Sequence, residues 1–276
     1  MEKFADLHMH TYFSDGTNSP EEVVKEALAA GLSCIAITDH DTVDGIQPTL
    51  DAAKGTGLEV LAGIELSTEI NGRDVHMLGY LFDYTNEDFK KELNTIQNSR
   101  IERMAGMIQK LDELGIHGIN LQEVCALAHS KAVGRPHLAT VLYEKGKVSS
   151  IKEAFDKYLA EGAPAYVSKF KMTPVDAIKK IKSLGGVSVL AHPMVTRLDE
   201  LIPSFAQAGL NGIEAYYPNN PENIIDYYLG IAKKNGLLVT GGSDSHGAAK
   251  TSTYIGRVKV PYTVVEQLKA ARGGSI

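Results

Sequence analysis

The sequence predicts an α/β barrel of about seven strands interrupted by a helical insertion, and three observations carry that expectation. Short apolar runs alternate with amphipathic stretches at both ends of the chain. Four helical stretches in a row break the alternation in the middle, and clusters of histidine and acid directly follow the apolar runs. With 276 residues and 43% hydrophobic content, the chain suffices for one full barrel with a modest insertion but not for two equal domains.

Taken in order, Phe4 to Leu7 reads as a strand. Pro20 to Ala30 reads as a helix, with Ser19 as N-cap, proline at the first helical position and Gly31 closing it. Cys34 to Ile37 and Leu58 to Ile64 are the next strands, an order that implies a parallel sheet covered by helices. Asn71-Gly72 marks a two-residue hairpin turn between Glu65 to Thr68 and Val75 to Tyr80. A long amphipathic helix then runs from Asn86 to about Leu114, followed by shorter ones at Leu121 to His129, His137 to Lys145 and Ile151 to Glu161. The alternation resumes with a helix at Pro174 to Ser183, strand Val187 to Leu190, helix Leu198 to Ala208 and strand Gly212 to Ala215. Helix Glu222 to Lys234, strands Leu237 to Thr240 and Ile255 to Val260, and a helix from Val264 complete the chain. The expected division is a barrel of residues 1–85 and 170–276 and a helical subdomain of residues 86–169.

A formal charge of −6 and a pI near 5.9 provide no long basic surface, so duplex nucleic acid is not an expected partner. A small phosphorylated compound or a short single strand stays open. Cys34 and Cys125 read as two buried free thiols, not a disulfide framework. Met1 to Asp6 contains no apolar signal-peptide core, and no run approaches the roughly eighteen apolar residues of a membrane helix. A cytoplasmic protein without membrane contact is expected; oligomeric state is not legible.

Nine metal-binding side chains fall in five short clusters: His8, His10 and Asp15; His40; Glu65 with His76; His192; and Asp244 with His246. Six of the nine histidines lie inside them. Imidazole and carboxylate together suit borderline first-row divalent metals, and nine ligands are too many for one ion. Because barrel loops converge at the C-terminal ends of the strands, clusters far apart in sequence can meet in one pocket. A carboxylate that bridges two ions holds a water nucleophile against a phosphoryl group, so phosphoester hydrolysis is the reaction expected.

Each residue also has a plainer reading. Alone, Asp15 is a turn residue, and His76 and His192 are each as consistent with a satisfied structural histidine as with a ligand. Asp39 and Asp41 flank His40 as candidate partners orienting imidazoles. Glu65 ends an apolar strand, where a lone buried carboxylate is costly without a cation. His117 and His129 read as surface residues. In Gly134-Arg135-Pro136-His137, a helix start carrying arginine suits phosphate as well as it suits an ordinary solvated terminus. Lys169 and Arg197 are further candidates for phosphate contact. No phosphate-binding Gly-rich loop with Lys-Ser/Thr and no Gly-x-Ser-x-Gly elbow occurs.

The segments Asp6-Leu7-His8-Met9-His10 through Ser14-Asp15-Gly16, Thr38-Asp39-His40, Gly63-Ile64-Glu65, Ala191-His192-Pro193 and Ser243-Asp244-Ser245-His246, in that order, resemble the PHP (polymerase and histidinol phosphatase) family. The insertion with Gly134-Arg135-Pro136-His137 is similar to the branch containing nucleoside 3′,5′-bisphosphate phosphatases and 5′-to-3′ oligoribonucleases. The resemblance implies a distorted seven-stranded (β/α) barrel and two to three divalent ions such as Mn, Fe or Zn. It implies one ion on His8, His10, Glu65 and Asp244, a second on Glu65, His76 and His192, and a third on Asp15, His40 and His246. A hydroxide bridging the first two would attack phosphorus, with Glu65, His246 and His40 in the catalytic centre and Arg135, His137, Lys169 and Arg197 toward substrate. The rival readings are a histidinol-phosphate-type phosphatase, an amidohydrolase, in which a modified lysine often stands where Glu65 does, and a non-catalytic metal-binding module.

Overall fold

The computed structural model describes residues 2–127, 133–167, 172–250 and 252–272. His129 and Lys169 lie outside them. The strands are β1 (Phe4–Asp6), β2 (Cys34–Ile37), β3 (Glu59–Ile70), β4 (Arg73–Tyr80), β5 (Val187–Leu190), β6 (Gly212–Tyr216), β7 (Leu238–Gly241) and β8 (Val260–Pro261). The helices are α1 (Pro20–Ala29), α2 (Ile46–Ala53), α3 (Glu87–Glu113), α4 (Leu121–Leu127), α5 (Arg135–Glu144), α6 (Ile151–Ala154), α7 (Pro174–Ser183), α8 (Pro193–Thr196), α9 (Ile202–Gln207), α10 (Glu222–Asn235) and α11 (Thr263–Ala271). A π-helical turn, Phe155–Leu159, extends α6.

The strands form one sheet in the order β7-β6-β5-β4-β3-β2-β1-β8. Past β1, Leu7 N donates to Gly241 O (3.2 Å), Asp244 N to His8 O (2.8 Å) and His10 N to Ser245 O (2.9 Å), so the chain leaving β7 closes the barrel against the chain leaving β1. The alternation implied a parallel sheet and Asn71-Gly72 a hairpin within it, and the sheet that forms is mixed. β3–β4 and β4–β5 are antiparallel, because β4 returns by a hairpin instead of a helical crossover. The expected strand at Ile255 is confined to Val260–Pro261, antiparallel to β1. Before it the chain turns at Gly256 (φ +79°), whose N–H donates to Asp6 Oδ2 (2.8 Å).

Local signals explain the elements that match expectation. Ser19 and Glu22 form a reciprocal capping box on α1, Thr173 and Asp176 do so on α7, and Asn86 caps α3. Ile70 pairs with Arg73 across Asn71 (φ +53°) and Gly72 (φ +79°), a two-residue turn with both central residues left-handed. The long helix α3 joins two cores. Phe89, Leu93 and Ile96 pack into the barrel-side cluster with Ile64, Met77 and Ile178, whereas Met104, Met107 and Leu111 pack with Leu138, Leu142 and Leu159 of the insertion. Among the described residues, no helix is long and apolar enough to cross a membrane.

Candidate metal centre

Glu65 lies in the middle of β3, almost completely buried, and its two oxygens are shared among five imidazoles. Oε1 lies 2.8 Å from His76 Nδ1 and 3.0 Å from His192 Nε2. Oε2 lies 3.2 Å from His8 Nε2, 3.2 Å from His10 Nε2 and 3.3 Å from His40 Nδ1. Gly63 lets β3 approach closely here, since a side chain would meet Ile37 O at 2.5 Å. The strands and the loops that leave them thus bring together all six histidines of the clusters, with Asp244 Oδ1 3.3 Å from His10 Nε2 and Asp15 Oδ1 3.4 Å from His246 Nε2.

Burial works against every charge in this cluster, and the neighbours decide the outcome. Burial alone would raise the Glu65 carboxyl, but His40, His8 and His76 hold it well below the usual range. Burial would likewise raise Asp244 and Asp15, and the surrounding imidazoles hold both far down. For His10 burial opposes protonation, yet Asp244, Glu65 and Asp15 push it up to about 10. His40 differs: desolvation dominates and takes it down to about 3.

The donor set fits metal ions. His10 Nε2, His40 Nδ1, His192 Nδ1 and Asp15 Oδ1 are buried and make no hydrogen bond, an arrangement that is costly unless a cation meets them. Three groups of donor atoms lie close enough to share an ion: His8, His10, Glu65 and Asp244; His10, Asp15, His40 and His246; and His40, Glu65 and His76. Thus His10 and His40 each stand in two groups, where the resemblance gave each to one.

Side chains that the sequence reading passed over hold this constellation. Glu214, fully buried in β6, accepts from His8 Nδ1 (2.9 Å) through Oε1 and from the His192 N–H (2.9 Å) through Oε2. That bond fixes the His8 ring so that Nε2 faces Glu65. It also secures His192, whose backbone is strained at φ +26°. Tyr217 OH (2.7 Å) and Lys250 Nζ (2.6 Å) hold Asp244 Oδ2, leaving Oδ1 toward His8 and His10. A Glu inside an apolar strand was the one available signal, in Gly212-Ile213-Glu214-Ala215.

Neither acid flanking His40 contacts an imidazole through a direct hydrogen bond, although Ser14 Oγ, which donates to Asp39, lies 3.5 Å from His10 Nδ1. Asp39 accepts from Thr11 N (2.7 Å), Thr11 Oγ1 (2.7 Å) and Ser14 Oγ (2.7 Å), and so pins the loop from His10 to Asp15. Asp41, at φ +50°, accepts from Ser67 N (2.8 Å) and from Arg100 of α3, while Gln97 donates to its carbonyl (3.1 Å). The substrate-side candidates are divided. His137 lines a cavity beside Asp15 and His246. Arg135 turns away to Asp74 Oδ2 (3.1 Å) and Leu159 O (3.3 Å). Arg197 lines a separate hollow with Asn220 and Tyr227. His117 is a surface residue, its side chain 73% exposed beside Asp112.

Comparison with known proteins agrees with this geometry. The PHP domain family model matches residues 6–246. A 5′-3′ exoribonuclease of Haemophilus influenzae is 34% identical over 89% of this chain and 91% of its own length. A 3′,5′-nucleoside bisphosphate phosphatase of Chromobacterium violaceum is 31% identical over 92% and 91%. Among solved structures, a protein of Bifidobacterium adolescentis assigned as a metal-dependent phosphoesterase superposes with a TM-score of 0.86 at 31% identity, covering 99% of this chain and 97% of that one. One from C. violaceum described as an amidohydrolase, with bound sulfate, superposes with 0.84 at 29% identity, covering 98% of each chain.

Proposed function

The chain belongs to the PHP domain family, and from that premise we propose that its metal centre hydrolyses phosphate esters of 3′,5′-bisphosphonucleosides or of short 5′-phosphorylated oligonucleotides. It is an enzyme, a metal-dependent phosphoesterase acting on nucleotides. The observation that carries the reading is the single buried carboxylate of Glu65 shared among five imidazoles, with Asp15 and Asp244 at the edges.

His8, His10, Glu65 and Asp244 would hold one divalent ion, Glu65, His76 and His192 a second, and Asp15, His40 and His246 a third, with Mn, Fe and Zn as the metals that suit the donors. When bound, such ions supply positive charge for the phosphoryl oxygens and bring a water nucleophile into play near neutral pH. The chain's own part is orientation. Glu214 keeps the His8 ring turned toward Glu65, and Tyr217 with Lys250 keeps one oxygen of Asp244 on the same centre. His40 and His246 flank Asp15, at the side of the cluster that opens to the cavity. Arg135 would engage a second phosphate remote from the one cleaved, sharing its guanidinium with Asp74. Two free cysteines suit a reducing cytoplasm.

The test, with Mn²⁺ supplied, is phosphate release from 3′,5′-bisphosphonucleosides, histidinol phosphate and 4-nitrophenyl phosphate and nucleoside monophosphate release from 5′-phosphorylated RNA, alongside elemental analysis. Two to three ions per chain and preferential turnover of the bisphosphonucleosides and the RNA are expected. A metal-free protein without metal-dependent phosphatase activity overturns the proposal.

A further inference from the structure

Three stretches of chain leave the donor cluster beside His192 and Asp244, and each leads to an exposed aromatic or cationic side chain. The first runs from His192 through α8 to Arg197, exposed and left-handed at φ +51°. The second follows β6. Tyr217 holds Asp244 Oδ2 and packs against the His192 ring with centres 5.6 Å apart, and the chain continues through Asn219 and Asn220 into α10, which carries Tyr227. In the third, Thr253 Oγ1 donates to the Asp244 carbonyl (3.1 Å), and Tyr254 and Arg257 follow.

The two asparagines connect these stretches. Asn219 Oδ1 accepts from Arg257 Nη2 (3.1 Å), whose guanidinium lies 5.7 Å from the centre of the Tyr254 ring. Asn220, Arg197 and Tyr227 border one hollow of about 500 Å³. Tyr227 and Tyr254 are 52% and 55% exposed, yet both are held in place. Tyr227 donates to Asp199 Oδ2 (3.2 Å) and meets the Tyr228 ring at 5.2 Å, while Tyr254 carries the guanidinium of Arg257. Asp199, the acid of the hollow, has its other oxygen on the Tyr228 hydroxyl (3.1 Å). Asn220 Nδ2 is buried and makes no hydrogen bond, a donor that lacks an acceptor. Held aromatic faces beside arginines suit single-stranded nucleic acid, whose bases stack on rings and whose phosphates meet guanidinium groups.

We propose that this edge carries the nucleotides downstream of the scissile bond in a single-stranded oligonucleotide, with bases on Tyr227 and Tyr254 and sugar–phosphate oxygens toward Asn220, Arg197 and Arg257. The proposal rests on the phosphoesterase reading and separates its two substrate classes. A bisphosphonucleoside has no further nucleotide to lay on this edge, whereas an oligonucleotide continues past the metal centre.

The test compares 5′-phosphorylated tetraadenylate with adenosine 3′,5′-bisphosphate, Mn²⁺ supplied. In Tyr227→Leu and in Tyr254→Leu, kcat/KM for the tetranucleotide should fall at least about fivefold, and for the bisphosphate it should change less than about twofold. Tyr227→Phe keeps the ring and should retain tetranucleotide turnover. Fluorescence anisotropy of a 3′-labelled phosphorothioate tetranucleotide should show the same losses in affinity. Arg257→Gln should flatten the slope of log Kd against log [KCl] by about 0.7, the share of one phosphate contact on a single strand. Equal losses for both substrates, or unaltered tetranucleotide turnover and binding in both leucine variants, overturn the proposal while leaving phosphoesterase activity standing. No metal-dependent release from either substrate by the wild type overturns the phosphoesterase reading and this proposal with it.

Discussion

Glu214→Gln tests how far the metal centre depends on a residue that is not itself among its donors. The carboxylate makes two contacts with opposite oxygens, one to an imidazole nitrogen and one to a backbone N–H, both at 2.9 Å and fully buried. A glutamine of the same shape has one oxygen and one NH₂. If its oxygen stays with the His192 N–H, the NH₂ faces His8 Nδ1 and forces the proton onto Nε2, the nitrogen aimed at Glu65 and Asp244. If its oxygen stays with His8, two donors face each other at His192 in a backbone already at φ +26°. Either way one charge-assisted bond of about 1.5–3 kcal/mol is lost, in the range of the roughly 10- to 100-fold fall in metal affinity that follows loss of a ligand's orienting partner. Titration of the metal-free protein with Mn²⁺ by calorimetry measures this directly, with circular dichroism confirming the fold. Unchanged affinity and stoichiometry in a folded Glu214→Gln protein would refute the orienting role.

Glu65→Gln should abolish turnover and retain the fold, since a neutral amide cannot offset two cations, whereas the exposed His117→Ala should leave turnover within experimental error. Arg100→Met leaves the fully buried Asp41 without its cation and should cost about 3–5 kcal/mol in urea unfolding, with Asp41→Asn in the same chain recovering much of it. Arg135→Ala should lose about 1.5–3 kcal/mol of transition-state stabilisation for a bisphosphate and little for 4-nitrophenyl phosphate; equal losses would place the arginine at the reacting centre or in folding. Metal loading should release protons: with His10 raised to about 10 in the metal-free protein, ions compete with a bound proton at pH 8, and apparent affinity should climb with pH up to that value. Calorimetry in buffers of different ionisation enthalpy counts those protons, and none released at pH 8 would contradict the raised value.

The donors were legible in the sequence because most follow a strand end, where the barrel gathers its loops, and because histidine is otherwise sparse in this chain, although Glu65 and His76 lie within β3 and β4. Their supports were not. Glu214 serves His8 from 206 residues away, and Lys250 reads as a loop lysine until the barrel closes β7 against β1. Asp39 and Asp41 looked like imidazole partners by adjacency, yet alternate residues leaving a strand point apart, and both turn to backbone and to α3 instead. Helices with caps were found nearly to the residue, as at Pro174–Ser183. The short helix Ile46–Ala53 escaped because Gly45 gives it no side-chain cap and Pro48 sits within its first turn. Asn71-Gly72 gave away the direction of β4 against β3, but its antiparallel pairing with β5 was not legible, since apolar runs reveal strands and not the sense in which distant ones pair.

The hairpin tip carries a consequence of its own. His76 stands opposite Ser67, one diagonal step from Glu65, only because Ile70 meets Arg73 across two left-handed residues. A slip of β4 by a single residue would turn His76 to the opposite face of the strand and leave Glu65 Oε1 with His192 alone. The spacing of donors around the central carboxylate is thus partly set by the turn geometry of Asn71 and Gly72, which themselves stand outside every donor group. A one-residue insertion at that turn would act as a metal-site mutation.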